Sequence, residues 1–174
     1  MKKYELTTKT KMRFGRKLFQ IKALVSFGDV TAGDLGGYIE KEENLSHDGD
    51  AWVYDRALVF GDAKVCGNAW VFGDAIVRGD AHVCGDAQVY GEARVSSDAD
   101  YICFKGFGSE SRNTTMFRTK NGDIYVCCGC FEGSLKEFAE KVKETHGSSK
   151  YAKEYLACVE VAKIHFEIGE KDDK

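Results

Sequence analysis

The chain lacks several features that would assign it to a broad class at once. No apolar run is long enough to span a membrane, and the start, where Met1, Lys2 and Lys3 lead into a polar stretch, has no signal-peptide pattern. Basic residues are not in excess: 25 Lys and Arg face 28 Asp and Glu, so no groove for nucleic-acid phosphates is expected. The seven cysteines are an odd number spread along the chain. These absences predict a cytoplasmic protein with reduced thiols, no membrane association and no direct nucleic-acid binding.

What the chain does have is a six-residue repeat that runs without a gap over residues 49–102. Each unit is Gly-Asp-Ala-x-Val-x; alanine takes its position nine times and valine eight times, with Tyr101 in the ninth valine position. Glycine permits a sharp corner, aspartate bonds to turn backbone, and β-branched valine favours a short strand. A hexad of this length predicts a solenoid, with valine inside and its two neighbours outside because strand side chains alternate.

The chain resembles the hexapeptide-repeat family, and the segments flanking the repeat are similar to members found in bacteriophages and prophages. The resemblance is carried by the hexads and by residues 33–39, 106–108, 128–131 and 144–147. It implies a mainly β fold, a left-handed parallel β-helix of about three to four coils, with eighteen residues in each coil. The handedness comes from the resemblance alone, since the general rule for parallel crossovers favours the right-handed form.

Three coils make a thin core with two open ends, so both flanks are expected to act as caps. We expect an N-terminal β cap and lead-in, the hexapeptide-repeat β-helix, and a C-terminal α+β domain with a β-hairpin and two helices, over residues 1–36, 37–102 and 103–174. The cap should contain strands at residues 3–8 and 18–25. The first coil should be degenerate, with Ile39 and Leu45 in register with the alanine column.

The C-terminal part carries clear local signals. Strands are expected at residues 102–107, 116–119 and 124–128, with Asn121-Gly122 as the hairpin turn between the last two. Ser134 and Glu137 form a capping box before a helix that Gly147 ends. A second helix is expected over residues 149–166, with one apolar face made of Tyr151, Tyr155, Leu156, Val159 and Ala162.

Folding the repeat into coils of eighteen residues places the outward side chains in columns. One face carries five aromatic residues and includes both tryptophans of the chain: Trp52, Tyr54, Trp70, Phe72 and Tyr90. Large contiguous apolar patches mark interfaces. We therefore expect this aromatic face either to be covered by the C-terminal helices or to bind a protein partner, a host protein or a second copy of the chain.

The corners of the predicted coils form acidic columns. Two of these corners contribute Asp62, Asp80, Asp98, Asp74 and Glu92. The simpler explanation is that each aspartate serves its own turn. The alternative is an acidic strip that imitates a phosphate backbone or binds a basic partner.

The resemblance also brings enzymes into consideration, because many hexapeptide-repeat proteins are acyltransferases with a catalytic histidine between subunits and some are carbonic anhydrases with a three-histidine metal site. His82 points outward with no second histidine one coil away. His47 falls in the inward valine position of the degenerate coil, and no histidine has a carboxylate placed by the spacing. The repeats contain no insertion to hold a pantetheine arm. We therefore predict no catalytic residue, no metal and no cofactor.

Two groups of cysteines bear on metal binding and on disulfides. Cys127, Cys128 and Cys130 lack a second ligand pair for zinc, unless Cys103 approaches across the sheet, and are expected to be buried thiols. Cys66 and Cys84, one coil apart, are expected to be stacked, exposed free thiols.

Taken together, these patterns predict a non-enzymatic, phage-type protein that binds another macromolecule. Inhibition of a host defence system, such as a CRISPR effector, is the most concrete candidate. The alternative is a hexapeptide-repeat acyltransferase that uses acyl-CoA. A structural scaffold that forms a homo-oligomer is the third candidate.

Overall fold

A computed structural model describes residues 2–168 of the chain. The chain divides into two compact units, Met1–Asp98 and Ala99–Lys174. The first unit is a β-solenoid of about three turns with an N-terminal β-hairpin, and the second is an antiparallel sheet with two helices. Within the described part of the chain, no helix is long and apolar enough to cross a membrane.

The N-terminal cap consists of three strands: β1 (Tyr4–Arg13), β2 (Arg16–Ala23) and β3 (Leu35–Ile39). β1 and β2 form an antiparallel hairpin, and β3 pairs antiparallel with β2 on one edge. On its other edge β3 pairs in parallel with the solenoid, so the cap and one solenoid face share a six-stranded sheet. The two predicted cap strands are present, and β1 continues five residues beyond its expected end because it forms one arm of this hairpin.

Eight two-residue strands form the coils, one for each of eight hexads: β4 (Trp52–Val53), β5 (Leu58–Val59), β6 (Lys64–Val65), β7 (Trp70–Val71), β8 (Ile76–Val77), β9 (His82–Val83), β10 (Gln88–Val89) and β11 (Arg94–Val95). Residues eighteen apart pair in parallel, as Trp52 does with Trp70. Backbone hydrogen bonds join successive coils; the Trp52 N–H donates to the Ala69 carbonyl at 3.1 Å. The predicted solenoid and its eighteen-residue coil are confirmed.

The interior of the solenoid is as the repeat predicts. The valines of all eight strands and the alanines from Ala51 to Ala93 in the repeat have no solvent exposure. Glycine is required at the corners for two reasons that Gly67 illustrates. Its φ of +68° is disfavoured for other residues, and a Cβ there would lie 2.9 Å from the Gly85 backbone nitrogen.

The register of the first coil differs from the prediction. Ile39 pairs with Val59 and Leu45 bridges to Val65, twenty residues apart instead of eighteen. Ile39 and Leu45 therefore occupy valine positions and not alanine positions, and both are buried. The two additional residues lie between Leu45 and Val53, so His47 is not in an inward valine position as expected.

The ninth hexad does not continue the solenoid. Asp98–Asp100 forms a short 3-10 turn, and Ala99 is exposed where the repeat predicts burial. Tyr101 then begins a strand that pairs antiparallel with a later strand. The prediction of nine regular units is wrong at this last unit, because antiparallel pairing in the second unit replaces parallel pairing along the solenoid.

The second unit contains β12 (Tyr101–Phe107), β13 (Arg112–Arg118), β14 (Ile124–Cys128) and β15 (Phe131–Ser134), followed by α1 (Leu135–His146) and α2 (Lys150–His165). The four strands form an antiparallel sheet in sequential order. The two predicted helices and the capping box are confirmed: the Ser134 hydroxyl accepts the Glu137 N–H at 3.2 Å, and hydrogen bonds from Ser134 lower the pKa of Glu137. β15 was not predicted from the sequence.

One apolar cluster holds the second unit together. Met116, Val126 and Phe138 are buried in it, with side chains of both helices around them. The buried face of α2 consists of Ala152, Tyr155, Cys158, Val159 and Ala162. Tyr151, expected on that face, is 39% exposed. The apolar faces of the two helices are thus used against the sheet of their own unit.

Candidate functional site

The aromatic face is only partly accessible. Trp52 is 1% exposed because the N-terminal cap covers it: Tyr4 and Phe27 contact its ring edge-on, at centroid distances of 6.1 and 5.4 Å. The cap, which the sequence did not place here, removes this predicted anchor from the surface.

The other four aromatic residues of this face contact one another in pairs. Tyr54 and Trp70 meet edge to face at 5.8 Å, and Phe72 and Tyr90 stack at 4.5 Å. Tyr90 is buried and the other three are half-buried; burial also raises the pKa of Tyr54. The binding role of these side chains stays a prediction.

The acidic corners are partly neutralised by cations. Asp62 accepts a hydrogen bond from the Lys41 ammonium at 3.0 Å, which lowers the pKa of Asp62, and Asp74 pairs with Arg56 at 2.8 Å. Asp80 and Glu92 are exposed. Cations at Asp62 and Asp74 interrupt the negative charge of these two corners, and their predicted role in binding remains untested.

Asp98, the last member of the column that begins with Asp62, lies beside His82. Its carboxylate accepts the His82 backbone N–H at 2.7 Å, and its second oxygen is 3.8 Å from the imidazole Nδ1. One coil earlier, the equivalent Lys64 N–H donates to a backbone carbonyl, that of Ala81. Because the ninth hexad leaves the register, the Asp98 carboxylate takes the place of a carbonyl and brings a charge next to the imidazole.

His82 has the accessibility that a proton-transfer group needs. Its side chain is 49% exposed on the face formed by β6 and β9, where it pairs in register with Lys64. At 3.8 Å the Asp98 oxygen is beyond hydrogen-bond distance of Nδ1, so it acts on the ring through its charge alone. An exposed imidazole of this kind can accept a proton from a substrate that reaches it.

The same face carries a disulfide between Cys66 and Cys84, whose Cα atoms are 4.6 Å apart. The expectation of two free thiols is wrong here. Parallel coils place residues eighteen apart side by side, within the usual Cα separation for a disulfide. Cys84 follows His82 by two residues, so the disulfide and the imidazole lie on one face of the coil.

The other three histidines are engaged differently. His47 stacks on Tyr4 at 4.4 Å, and its Nδ1 accepts the Lys3 N–H at 3.2 Å. Its side chain is 30% exposed, so it is not the buried residue expected from the register. His146 stacks on Tyr155, and the His165 Nε2 lies 3.0 Å from the Tyr101 carbonyl oxygen. Two of the four histidines have a carboxylate oxygen 3.8 Å from the ring: His47, beside Glu42, and His82, beside Asp98. His82 is the more exposed of the two, at 49% against 30%.

The cysteines of the second unit do not gather into a ligand set. In residues 2–168, no group of three or more His, Cys, Asp or Glu side chains is placed to hold a metal ion. The Thr114 hydroxyl lies 3.0 Å from the Cys128 Sγ, and Cys127 is also buried. Cys130 is exposed, contrary to the expectation of a buried thiol.

The chain can be compared with known proteins. No protein-family model matches the chain. A protein of Escherichia coli (strain K12) named "Uncharacterized acetyltransferase YdcK" is 45% identical over 51 residues. That similarity covers 29% of this chain and 16% of the relative, so the chain spans well under two thirds of the relative's length.

This relative overturns the prediction that the chain is not an enzyme, because a homologous segment belongs to a protein named as an acetyltransferase. The prediction depended on finding no carboxylate near a histidine. The repeat predicts that Asp98 lies in the column next to that of His82. The contact between the Asp98 carboxylate and His82 forms because the ninth hexad departs from the repeat. The association with bacteriophages stays a prediction.

Proposed function

We propose that the protein is an acyltransferase that uses acyl-CoA, with His82 as general base. The observation that carries the proposal is the 45% identity over 51 residues with a protein named as an acetyltransferase. The hexad solenoid supports it, since the resemblance to hexapeptide-repeat proteins implies the same activity.

The proposed reaction needs one proton to be moved and one bond to be exchanged. His82 accepts a proton from an amine or hydroxyl acceptor, whose nitrogen or oxygen attacks the thioester carbonyl. The carbon–sulfur bond breaks, and the imidazolium returns the proton to the departing CoA thiolate. Asp98 is held in place by the His82 backbone N–H, and its second oxygen lies 3.8 Å from Nδ1, where its charge attracts the imidazolium without a hydrogen bond to the ring.

Self-association is part of this proposal. His82 is half exposed on a flat face, and the resemblance implies catalytic histidines that lie between subunits. A second copy on this face would exclude water from the imidazole and complete the site. Light scattering on the purified protein should then give a mass that is a multiple of the 19.3 kDa chain.

Calorimetry with acetyl-CoA and chromatographic measurement of released CoA test the activity, using a panel of amine and sugar-hydroxyl acceptors. We expect His82→Gln to lower kcat/KM by about 10²- to 10⁴-fold, the usual contribution of a general base. His146→Gln, at a helix end in the second unit, is the matched control and should leave kcat/KM unchanged. If the unaltered protein neither binds acetyl-CoA nor releases CoA with any acceptor, the proposal is wrong.

A further inference from the structure

The tip of the β1–β2 hairpin concentrates positive charge in a chain whose net charge is -3. Five of the nine residues from 9 to 17 are basic and none is acidic: Lys9, Lys11, Arg13, Arg16 and Lys17. Arg13 and Arg16 lie directly opposite each other in the last pair of the hairpin. Like charges in that position destabilise a hairpin, so the arrangement is not explained by the stability of the strands.

The turn at this tip contains a second locally unfavourable feature, a phenylalanine in the left-handed backbone region. Phe14 has a φ of +51° and Gly15 a φ of +72°, and such two-residue turns favour Asn-Gly. Phe14 is nevertheless 61% exposed, as is Met12. An exposed aromatic residue held in a disfavoured backbone conformation is typical of binding sites.

Four of the five cations have no carboxylate partner. Arg16 binds both oxygens of Glu40, at 2.8 and 2.9 Å, and the Lys11 ammonium lies 4.2 Å from the centre of the Tyr38 ring. In the part of the chain that the structure describes, Lys9, Arg13 and Lys17 form no ion pair, and all three are exposed; the Lys17 ammonium lies 5.2 Å from the centre of the Phe19 ring. They are available to an anionic ligand beside the Phe14 ring.

The tip lies near the corner that leads to the candidate active site. The Phe14 ring stacks on Phe60 at 5.5 Å, and Glu40, which holds Arg16, also accepts the Gly61 N–H at 2.8 Å. β6 begins three residues later at Lys64, which pairs in register with His82. The hairpin tip and the imidazole are thus on neighbouring faces of the solenoid that meet at this corner.

We infer that the hairpin tip binds the nucleotide part of acyl-CoA. This inference rests on the acyl-CoA dependence proposed above. Arg13 is paired with Arg16 and Lys17 with Met12, so the two side chains leave opposite faces of the hairpin and hold the ligand from the two sides of the tip. They bind the 3′-phosphate and the diphosphate, since guanidinium and ammonium groups pair strongly with phosphate oxygens. Phe14 stacks against the adenine ring. The flexible pantetheine arm then crosses the corner toward His82.

Calorimetry with three probes tests the inference: CoA, 3′-dephospho-CoA and adenosine 3′,5′-bisphosphate. The full chain should bind CoA at least tenfold more tightly than dephospho-CoA, and the bisphosphate alone should bind with an affinity that falls as salt is raised. Arg13→Glu with Lys17→Glu should weaken both CoA and bisphosphate by more than tenfold. Lys136→Glu with Lys153→Glu, the same change of charge on exposed helix positions of the second unit, should leave both affinities unchanged.

Phe14→Asn separates binding from folding. Asparagine suits the turn but loses the Phe14–Phe60 contact, so thermal stability should change little, while the affinity for the bisphosphate should fall at least threefold. Unchanged affinities in this variant and in the double charge reversal would overturn the inference. It would also be overturned if the double reversal only caused aggregation, since the positive charges of the hairpin would then serve to keep the β1 edge from pairing with another strand.

The remaining outcomes distinguish this inference from the proposed function. Acetyl-CoA binding that is insensitive to the hairpin variants leaves the acyltransferase proposal intact and removes the hairpin site. Bisphosphate binding at the tip without any acyl transfer supports the hairpin site and contradicts the enzyme. Capture of single-stranded DNA more tightly than CoA overturns the choice of ligand.

Discussion

The two units of this protein hold their apolar residues in opposite ways. In the solenoid, each coil contributes the same small side chains, valine inside and alanine at the corner, and contacts only the coils above and below. In the second unit, large side chains such as Phe138, Tyr155 and Phe166 meet in one cluster between a sheet and two helices. Stability should therefore be distributed along the first unit and concentrated in the second.

The largest expected loss of stability comes from a substitution at the centre of the apolar cluster in the second unit. Phe138 is 3% exposed and contacts Phe131 and Tyr155. Phe138→Ala should lower the free energy of unfolding of that unit by about 3–5 kcal/mol, because a cavity forms in the single cluster. Urea denaturation followed by near-UV circular dichroism measures this. Ile164→Ala, at a 79% exposed position of α2, is the control and should cost little.

The next largest effect is a pH dependence of stability in the N-terminal cap, which is due to Lys3 and is expected at alkaline pH. The Lys3 ammonium is buried and bonds to the carbonyls of Gly49 and Ala51, and desolvation lowers its pKa to about 8. The unfolded chain then binds more protons than the folded chain between about pH 8 and the ordinary lysine pKa of about 10.4, so this group makes stability rise with pH in that window.

Comparison with Lys3→Met isolates this contribution, since Tyr4 and the other alkaline groups titrate in both proteins. The difference in unfolding free energy should change by up to about 1.4 kcal/mol per pH unit between pH 8 and 10, in favour of the lysine form at higher pH. A difference that stays constant across this range would show that the Lys3 pKa is not lowered.

A substitution in one coil of the solenoid should lower the free energy of unfolding less than a substitution in the apolar cluster of the second unit. Val77 has no exposure, and Val77→Ala removes two methyl groups from one rung, for an expected loss of about 2 kcal/mol. Amide hydrogen exchange should accelerate at Leu58 and Ile76, whose N–H groups donate to carbonyls of the next coil on the same face, more than in the second unit. Equal acceleration of exchange in both units would contradict the prediction that stability is distributed along the solenoid. Lys64→Ala, at an exposed position, serves as the control.

The smallest effect is at the start of α1. Ser134→Ala removes a side-chain acceptor from the Glu137 N–H and should cost about 1 kcal/mol in the second unit alone. Thermal unfolding monitored at helix wavelengths measures it. Ser148→Ala, an exposed serine that is not the cap of α2, should have no effect. A shift in the melting of the solenoid would contradict the separation of the two units.

Sequence patterns were most informative where the physics is local or strictly repeated. The hexads predicted the solenoid and its buried columns, and Ser134 with Glu137 predicted the start of a helix. The departures arose where distant segments compete for pairing. Two additional residues before Val53 shifted Ile39 and Leu45 into valine positions, and β13 drew Tyr101 out of the ninth coil.

The candidate site shows the same division. The repeat established that His82 is outward-facing and that Cys66 and Cys84 share its face. The His82–Asp98 contact could not be predicted, because it requires the carboxylate to replace a backbone carbonyl at the end of the solenoid. The burial of Trp52 under Tyr4 and Phe27 likewise depends on contacts between residues about fifty and twenty-five positions apart.

The periodic sequence alone determined which side chains of the eight coils face inward, since a six-residue period and strand alternation leave one arrangement that buries valine. Only the tertiary structure decided where the repeat stops, which outward faces are covered and which charges meet. Those outcomes depend on pairing between distant segments of the chain, in the cap and in the second unit. The free energy of that pairing relative to its alternatives is not encoded in any local pattern.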